Sequence, residues 1–294
     1  VRVLVTGASG MVGRSVVSAL VGRGDRVVAL SRDPEAHPWP AGVEPVAWDA
    51  RSPLPDVEAD AVVNLAGQSV VGGRWTRPFV QQMRDSRVTV TRHVVEWVNA
   101  QPRPPALVSA SAAGYYGSAV GPCREETPPG TGVLAELARD WEAEASRAKG
   151  RLVVLRIGHV LSPEGGYLGT ILPYARLGLA GPVGGGRQPM AWVHLDDVAA
   201  AFVWGLDHPV AGTFNLASPG AAGGTQRDFA KALARAVHRP LQVPVPLWMV
   251  QLRYGAGAGP ALGSGRDLHV DAIQAAGFRF RHTGLGESLR DLLA

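Results

Sequence analysis

Val3-Leu4-Val5-Thr6-Gly7-Ala8-Ser9-Gly10-Met11-Val12-Gly13 is the stretch on which the fold turns. A short apolar run leads through three glycines into Val12, Val16, Val17, Leu20 and Val21, which recur at helical spacing until Gly24 stops them. Strand, turn and helix in that order give each glycine a task. Gly7 permits the tight turn, Gly10 lets the backbone approach a pyrophosphate, and Gly13 lets the helix pack close to the sheet. The pyrophosphate is expected on free N–H groups at the helix N-terminus. Thr6, Gly7, Ser9, Gly10, Met11, Val12 and Gly13 are therefore the expected core of a dinucleotide site.

Working outward, the runs Val3 to Val5, Val27 to Leu30, Ala61 to Ala66, Ala106 to Val108 and Leu152 to Ile157 read as strands. Helical periods lie between them, notably Phe79 to Val98 and Ala135 to Ala148. Such alternation predicts an α/β fold, a doubly wound parallel sheet of Rossmann type. After Ile157 the rhythm changes to loops rich in Gly and Pro, at Gly165-Gly166 and Gly181 to Gly186. Helices are then expected near Asp197 to Leu206, Gln226 to Val237, Pro246 to Leu252, His269 to Ala276 and Gly286 to Leu293. Residues 1–164, with a last strand from about 211–218, are read as the dinucleotide domain. Residues 165–210 and 219–294 are read as a smaller, interleaved substrate-binding part.

The second strand ends Ser31-Arg32, where an NAD enzyme usually places an acid against the adenosine ribose. A hydroxyl and a guanidinium suit a 2′-phosphate that a carboxylate would repel, so NADP (NADPH) is the expected cofactor. Asp33 leaves NAD as the alternative, because a shift of one residue restores an acid.

Composition narrows the partners. The 294 residues are 46% hydrophobic, enough to bury a core. The net charge of +4 comes from 29 scattered basic residues, of which only Lys149 and Lys231 are lysines, so no nucleic-acid partner is expected. Cys123 is the only cysteine, which excludes an intramolecular disulfide and a cysteine metal cluster. The eight histidines lack i, i+4 pairing, and no metal is expected. No stretch approaches the ~20 apolar residues of a span, so no membrane partner is expected. The N-terminus runs straight into the turn with no room for a signal peptide, and a cytoplasmic location is expected.

Further segments carry a resemblance: Asn64-Leu65-Ala66-Gly67, Ser86-Arg87, Ser109 to Gly117, Asp140-Trp141-Glu142, Arg156 to Leu161 and Val193-His194-Leu195-Asp196-Asp197. With them the chain resembles, end to end, the extended short-chain dehydrogenases/reductases, in particular the atypical branch of epimerase family proteins, NAD-dependent epimerases/dehydratases. The resemblance implies that Asp49 meets the adenine, that Leu65, Ala66 and Gly67 line the adenosine and ribose, and that Ser109 closes the nicotinamide side. It also implies that the loop from Gly158 to Leu161 passes near the carboxamide.

The departure is chemical. The Tyr-x-x-x-Lys pair of that superfamily is missing, since Ala145 and Arg227 stand four residues before the two lysines. Alignment on Glu142 puts Leu134 and Ala138 at its positions. Ser111, Tyr115 and Tyr116, after a central strand, become the expected catalytic cluster. Met190 stands where sugar-nucleotide epimerases often carry an arginine, so Arg187 or Arg266 is the expected substrate-binding residue. His194 with Asp196-Asp197 reads as a helix start. The expected function is an NADP-dependent oxidoreductase or epimerase for a small polar, sugar-nucleotide-like substrate. The alternative is a non-catalytic NADP(H)-binding redox-sensing or regulatory module. A homodimer is the assembly the resemblance suggests.

Overall fold

The computed structural model describes residues 1–119, 121–240, 243–255, 258 and 263–294. A seven-stranded sheet in the order β3-β2-β1-β4-β5-β7-β10 forms its centre, with every neighbouring pair parallel. The strands are β1 (Arg2–Thr6), β2 (Arg26–Ser31), β3 (Val43–Ala47), β4 (Ala61–Asn64), β5 (Ala106–Ala112), β7 (Leu152–Ile157) and β10 (Gly212–Leu216). The chain goes outward from β1 to β2 and β3, then returns to the other side of β1 as β4. The order therefore reverses between β1 and β4, and a doubly wound sheet opens its ligand crevice at the carboxyl ends of such a pair.

Period-two alternation fills both faces. Val3 and Val5 face α1 (Met11–Gly22) and α5 (Leu195–Asp207) through Val16, Val17, Leu20, Val198 and Phe202. Leu4 faces the opposite way, onto Val90, Val94 and Val98 of α2 (Arg77–Ala100). All of these are essentially inaccessible, and each buried Val or Leu contributes about 1.5–3 kcal/mol. The remaining main-layer helix is α3 (Val133–Ala145), packed against α2.

Two small sheets stand at the carboxyl edge: β6 (Pro122–Cys123) with β11 (Asp267–Leu268), and β8 (His159–Ser162) with β9 (Trp192–His194). A second core joins Leu168 and Leu172 of α4 (Gly166–Arg176), Phe229 and Leu233 of α6 (Gln226–Ala236) and Leu289 of α9 (Leu285–Leu293). The other described helices are α7 (Leu247–Tyr254) and α8 (Asp271–Ala275). Among the described residues no helix is long and apolar enough to cross a membrane.

The expected architecture is present, with differences at the carboxyl edge. Residues 166–176 form a helix where loops were expected, because Gly166, Gly169 and Pro173 hide a stripe of Leu168, Leu172 and Ala175 that packs into the second core. Within 165–210, α5 packs against α1 on the main sheet, so that stretch is divided between the two layers. The strand expected to run to Ala66 ends at Asn64, whose side chain is fully buried.

Candidate functional site

At the switch point the turn after β1 meets the loop after β4. Gly7 has φ +66°, and a Cβ there would lie 2.9 Å from the Leu65 carbonyl. A Cβ on Gly13 would lie 2.1 Å from Gly7 O, which explains glycine at both positions by contacts within the protein. Gly10 differs: its φ of −72° suits any residue, and a Cβ would meet nothing closer than Gly7 O at 3.3 Å. The first turn of α1 has no side-chain cap and no acid, so its leading N–H groups are free to face an anion. A dinucleotide pyrophosphate fits that cradle.

Thr6 pins the neighbouring loop. Its hydroxyl donates to Asn64 Oδ1 at 2.8 Å and accepts from Leu65 N and Ala66 N at 3.2 Å. Asn64 Nδ2 donates to Thr91 Oγ1 at 2.8 Å and to Ser109 Oγ at 3.1 Å, so Ser109 is fully buried inside this network. Leu65 and Ala66 are half-buried and Gly67 is exposed. Ser9 and Val12 stay partly open, and Met11 packs against Gly165 of the loop before α4.

Arg32 is exposed at the end of β2 and lines an open concavity with Ala47, Trp48, Asp49 and Ser52. Ser31 is buried, accepting from Asp33 N and donating to Asp33 O. The Asp33 carboxylate accepts from Ala36 N at 3.2 Å, turned onto its own bend. Asp49 Oδ1 accepts from Ser52 N, Arg51 N and Ser52 Oγ within 2.9 Å, which lowers its carboxyl to about 2.

Beyond β5, the three expected catalytic residues have different surroundings. Ser111 Oγ donates to Glu142 Oε1 at 2.5 Å. Glu142 holds Arg156 through two bonds, 2.9 Å to Nε and 2.8 Å to Nη2. Arg156 Nη1 donates to Tyr116 OH at 2.9 Å, and Tyr116 OH donates to Asn215 Oδ1 at 2.7 Å. Tyr116 is fully buried, and burial pushes its phenol up to about 12 despite Arg156. The guanidinium of Arg156 is raised: burial opposes its charge, but the bonds to Glu142 outweigh it. Tyr115 is only half-buried, with Arg156 stacked 3.5 Å from its ring centroid. Among the described residues the Tyr115 hydroxyl has no hydrogen-bond partner. Leu134 packs within 3.2 Å of the Cβ position of Gly114, so an apolar side chain faces this turn.

Glu142 and Arg156 are thus the organising residues of the cluster, and their roles were not read from the sequence. They lie on α3 and β7, and only the fold makes them partners. His159, at the start of β8, is a third residue whose setting was not read from the sequence. Its Nδ1 lies 3.2 Å from Ala191 O, the geometry of a donated bond that leaves Nε2 as the lone pair. Burial lowers its basicity, the Ala191 bond opposes this, and Arg266 lowers it further.

The two expected substrate arginines part company. Arg187 is exposed on the loop before β9. Arg266 is buried, bonded through Nη1 to Ser264 O at 2.8 Å and Ser264 Oγ at 2.9 Å, while Nε has no partner among the described residues. Burial lowers its pKa, and among the described residues no carboxylate pairs with it. His194 caps α5 by accepting from Asp196 N at 3.1 Å, as a helix start requires. Asp197 instead accepts from Arg281 N and His282 N.

The described residues contain one cluster with metal-ligand side chains, His194, Asp196 and His282. The two imidazoles stack at 3.7 Å with planes 14° apart, so their in-plane lone pairs do not converge on one ion.

Comparison with known proteins agrees with this geometry. Residues 3–217 match the model of the NAD dependent epimerase/dehydratase family. An epimerase family protein of Mycobacterium bovis is 35% identical over 296 residues, covering 98% of this chain and 96% of its own. The human epimerase family protein SDR39U1 is 33% identical over 304 residues, covering 100% of both chains. The crystal structure of human SDR39U1 (isoform 2) with NADPH superposes with a TM-score of 0.90 at 32% identity, covering 100% of this chain and 99% of that one. The fold extends to a Thermus thermophilus UDP-glucose 4-epimerase in complex with NAD, at TM-score 0.78 and 22% identity over 100% and 99% of the two chains. By sequence, fold and the glycine turn at the sheet's switch point, this chain belongs to the NAD-dependent epimerase/dehydratase family.

Proposed function

We propose that this chain is an NADP(H)-dependent oxidoreductase or epimerase acting on a small polar substrate. The observation that carries the reading is the switch point itself, where an uncapped helix N-terminus, an exposed Gly10 and an Arg32 without a carboxylate partner among the described residues follow one another along the carboxyl edge. A relative crystallised with NADPH supports the same cofactor. Thr6, Gly7, Ser9, Gly10, Met11, Val12 and Gly13 hold the pyrophosphate, and Leu65, Ala66 and Gly67 flank the adenosine and ribose. Ser31 supports Arg32 at the 2′-phosphate, Asp49 borders the adenine side, and Ser109 braces the strand end under the nicotinamide.

The nicotinamide supplies hydride exchange when bound. The chain orients it and manages the proton. Glu142 and Arg156 occupy Ser111 and Tyr116, which makes those two the rigid support and leaves the Tyr115 hydroxyl as the group free to meet a substrate oxygen. Arg266, buried with no carboxylate partner among the described residues, and the exposed Arg187 are the residues for an anionic part of that substrate. Residues 1–164 with 211–218 carry the cofactor in this reading, and 165–210 with 219–294 carry most of the substrate contacts. A cytoplasmic location and a homodimer complete this reading.

A non-catalytic NADP(H)-binding module is the second reading, favoured by the apolar Leu134 facing the turn beside Tyr115. Calorimetric titration tests the cofactor. NADPH should bind about tenfold or more tightly than NADH, with the preference lost in Arg32→Ala. Equal affinities in the wild type would overturn it and return the ribose to Asp33.

A further inference from the structure

We propose that the surface formed by α7 and the end of α4 is a docking site for an anionic lipid membrane. Helix α7 reads Leu247-Trp248-Met249-Val250-Gln251-Leu252-Arg253-Tyr254, and none of its residues is buried. Val250 and Tyr254, four apart, turn their half-buried side toward the protein. Trp248 and Leu252, also four apart, share the opposite face with Met249 and are 61%, 66% and 46% exposed. An apolar helix with its apolar face in water is incomplete without a partner.

The patch continues beyond the helix. Val243 is exposed and its carbonyl accepts from Gly181 N, which brings it beside Leu177 and Leu179 after α4. Tyr174, Leu177 and Leu179 are all more than half exposed. Val245 accepts from Gly184 N and donates to Pro182 O, tying the two segments side by side.

Charge identifies the partner. Residues 61–84, 165–195 and 229–266 contain no Asp or Glu at all, yet carry ten Arg and Lys. Arg74 donates to Leu252 O, Arg239 donates to Arg176 O, and Arg253 lies on α7 itself. These four arginines are exposed, and among the described residues none has a carboxylate partner. Apolar side chains including a tryptophan, beside exposed arginines that no described carboxylate pairs, match the headgroup and acyl boundary of an anionic bilayer. A second copy of the chain fits poorly, because a two-fold interface here would set the cations against themselves. The lack of a spanning stretch, from which no membrane partner was expected, speaks to crossing a membrane, and this proposal concerns only lying on one.

Co-sedimentation of the full chain with vesicles of phosphatidylcholine, alone or mixed with phosphatidylglycerol, tests the proposal. Anionic vesicles should retain the chain about tenfold better than neutral ones, and salt should weaken retention. The double variant Trp248→Ser/Leu252→Ser should lose that retention while keeping the NADPH-induced rise in melting temperature, which shows that it is folded. Absence of retention on anionic vesicles overturns the proposal, as does equal retention of the double variant. A wild-type dimer in sedimentation equilibrium that the double variant splits also overturns it, in favour of a self-interface.

Discussion

Gly10 and Gly13 are indistinguishable as letters, but a methyl group meets different things at each. At Gly13 it would collide with backbone at 2.1 Å, so Gly13→Ala should lower apo-protein stability by about 1–3 kcal/mol in a urea melt. At Gly10 the contact is milder, 3.3 Å to the Gly7 carbonyl oxygen, which a shift of a few tenths of an ångström relieves, so the glycine there answers chiefly to a ligand. Tyr115 and Tyr116 make the same point for chemistry. Adjacent in sequence, one is stacked on Arg156 with its hydroxyl unpartnered among the described residues, and the other is sealed in a hydrogen-bonded core. If the chain is an enzyme, Tyr115→Phe should slow single-turnover hydride transfer by about 10²-fold or more at cofactor saturation. Unchanged rates would remove Tyr115 from the chemistry.

At the scale of elements, the strand–turn–helix around β1 was legible because one local pattern specifies it. Helix α4 was not, since Gly166, Gly169 and Pro173 break the local signal and only packing against α6 and α9 rewards the stripe beneath. The site shows the same division. The glycine turn and Arg32 are contiguous with their strands, whereas Glu142 and Arg156 come from α3 and β7 and meet through the sheet. That ion pair joins α3, β5 and β7 in a nearly dry interior, where removing one partner strands the other. Glu142→Gln should cost about 3–5 kcal/mol in chemical denaturation. A loss below about 1 kcal/mol would mean that the pair is incidental.

For the whole molecule, properties spread along the chain become visible only when folded. The apolar residues of 174–179 and 243–252 are too dispersed along the chain to register as one patch, but backbone bonds between 181–184 and 243–245 bring the exposed ones together. Two histidines in different elements, the half-buried His159 and the buried His194, both bear on stability. Burial holds the imidazoles of His159 and His194 below their ordinary value, with His282 stacked on His194 adding to the effect there. The unfolded chain binds protons at both near pH 6.5 while the folded chain does not. Stability is thus fully present above about 6.5 and is lost as pH falls below it. Urea midpoints should decline from about pH 7 to about pH 5, and His159→Gln should flatten part of that decline. The central claim concerns the cofactor, and its most direct measurement is the melting temperature of wild type and Gly10→Val with and without NADPH. The account predicts that the variant alone folds and melts at most several degrees below the wild type, that NADPH raises the wild type by several degrees, and that it raises the variant not at all. A variant that keeps the wild-type rise would contradict it.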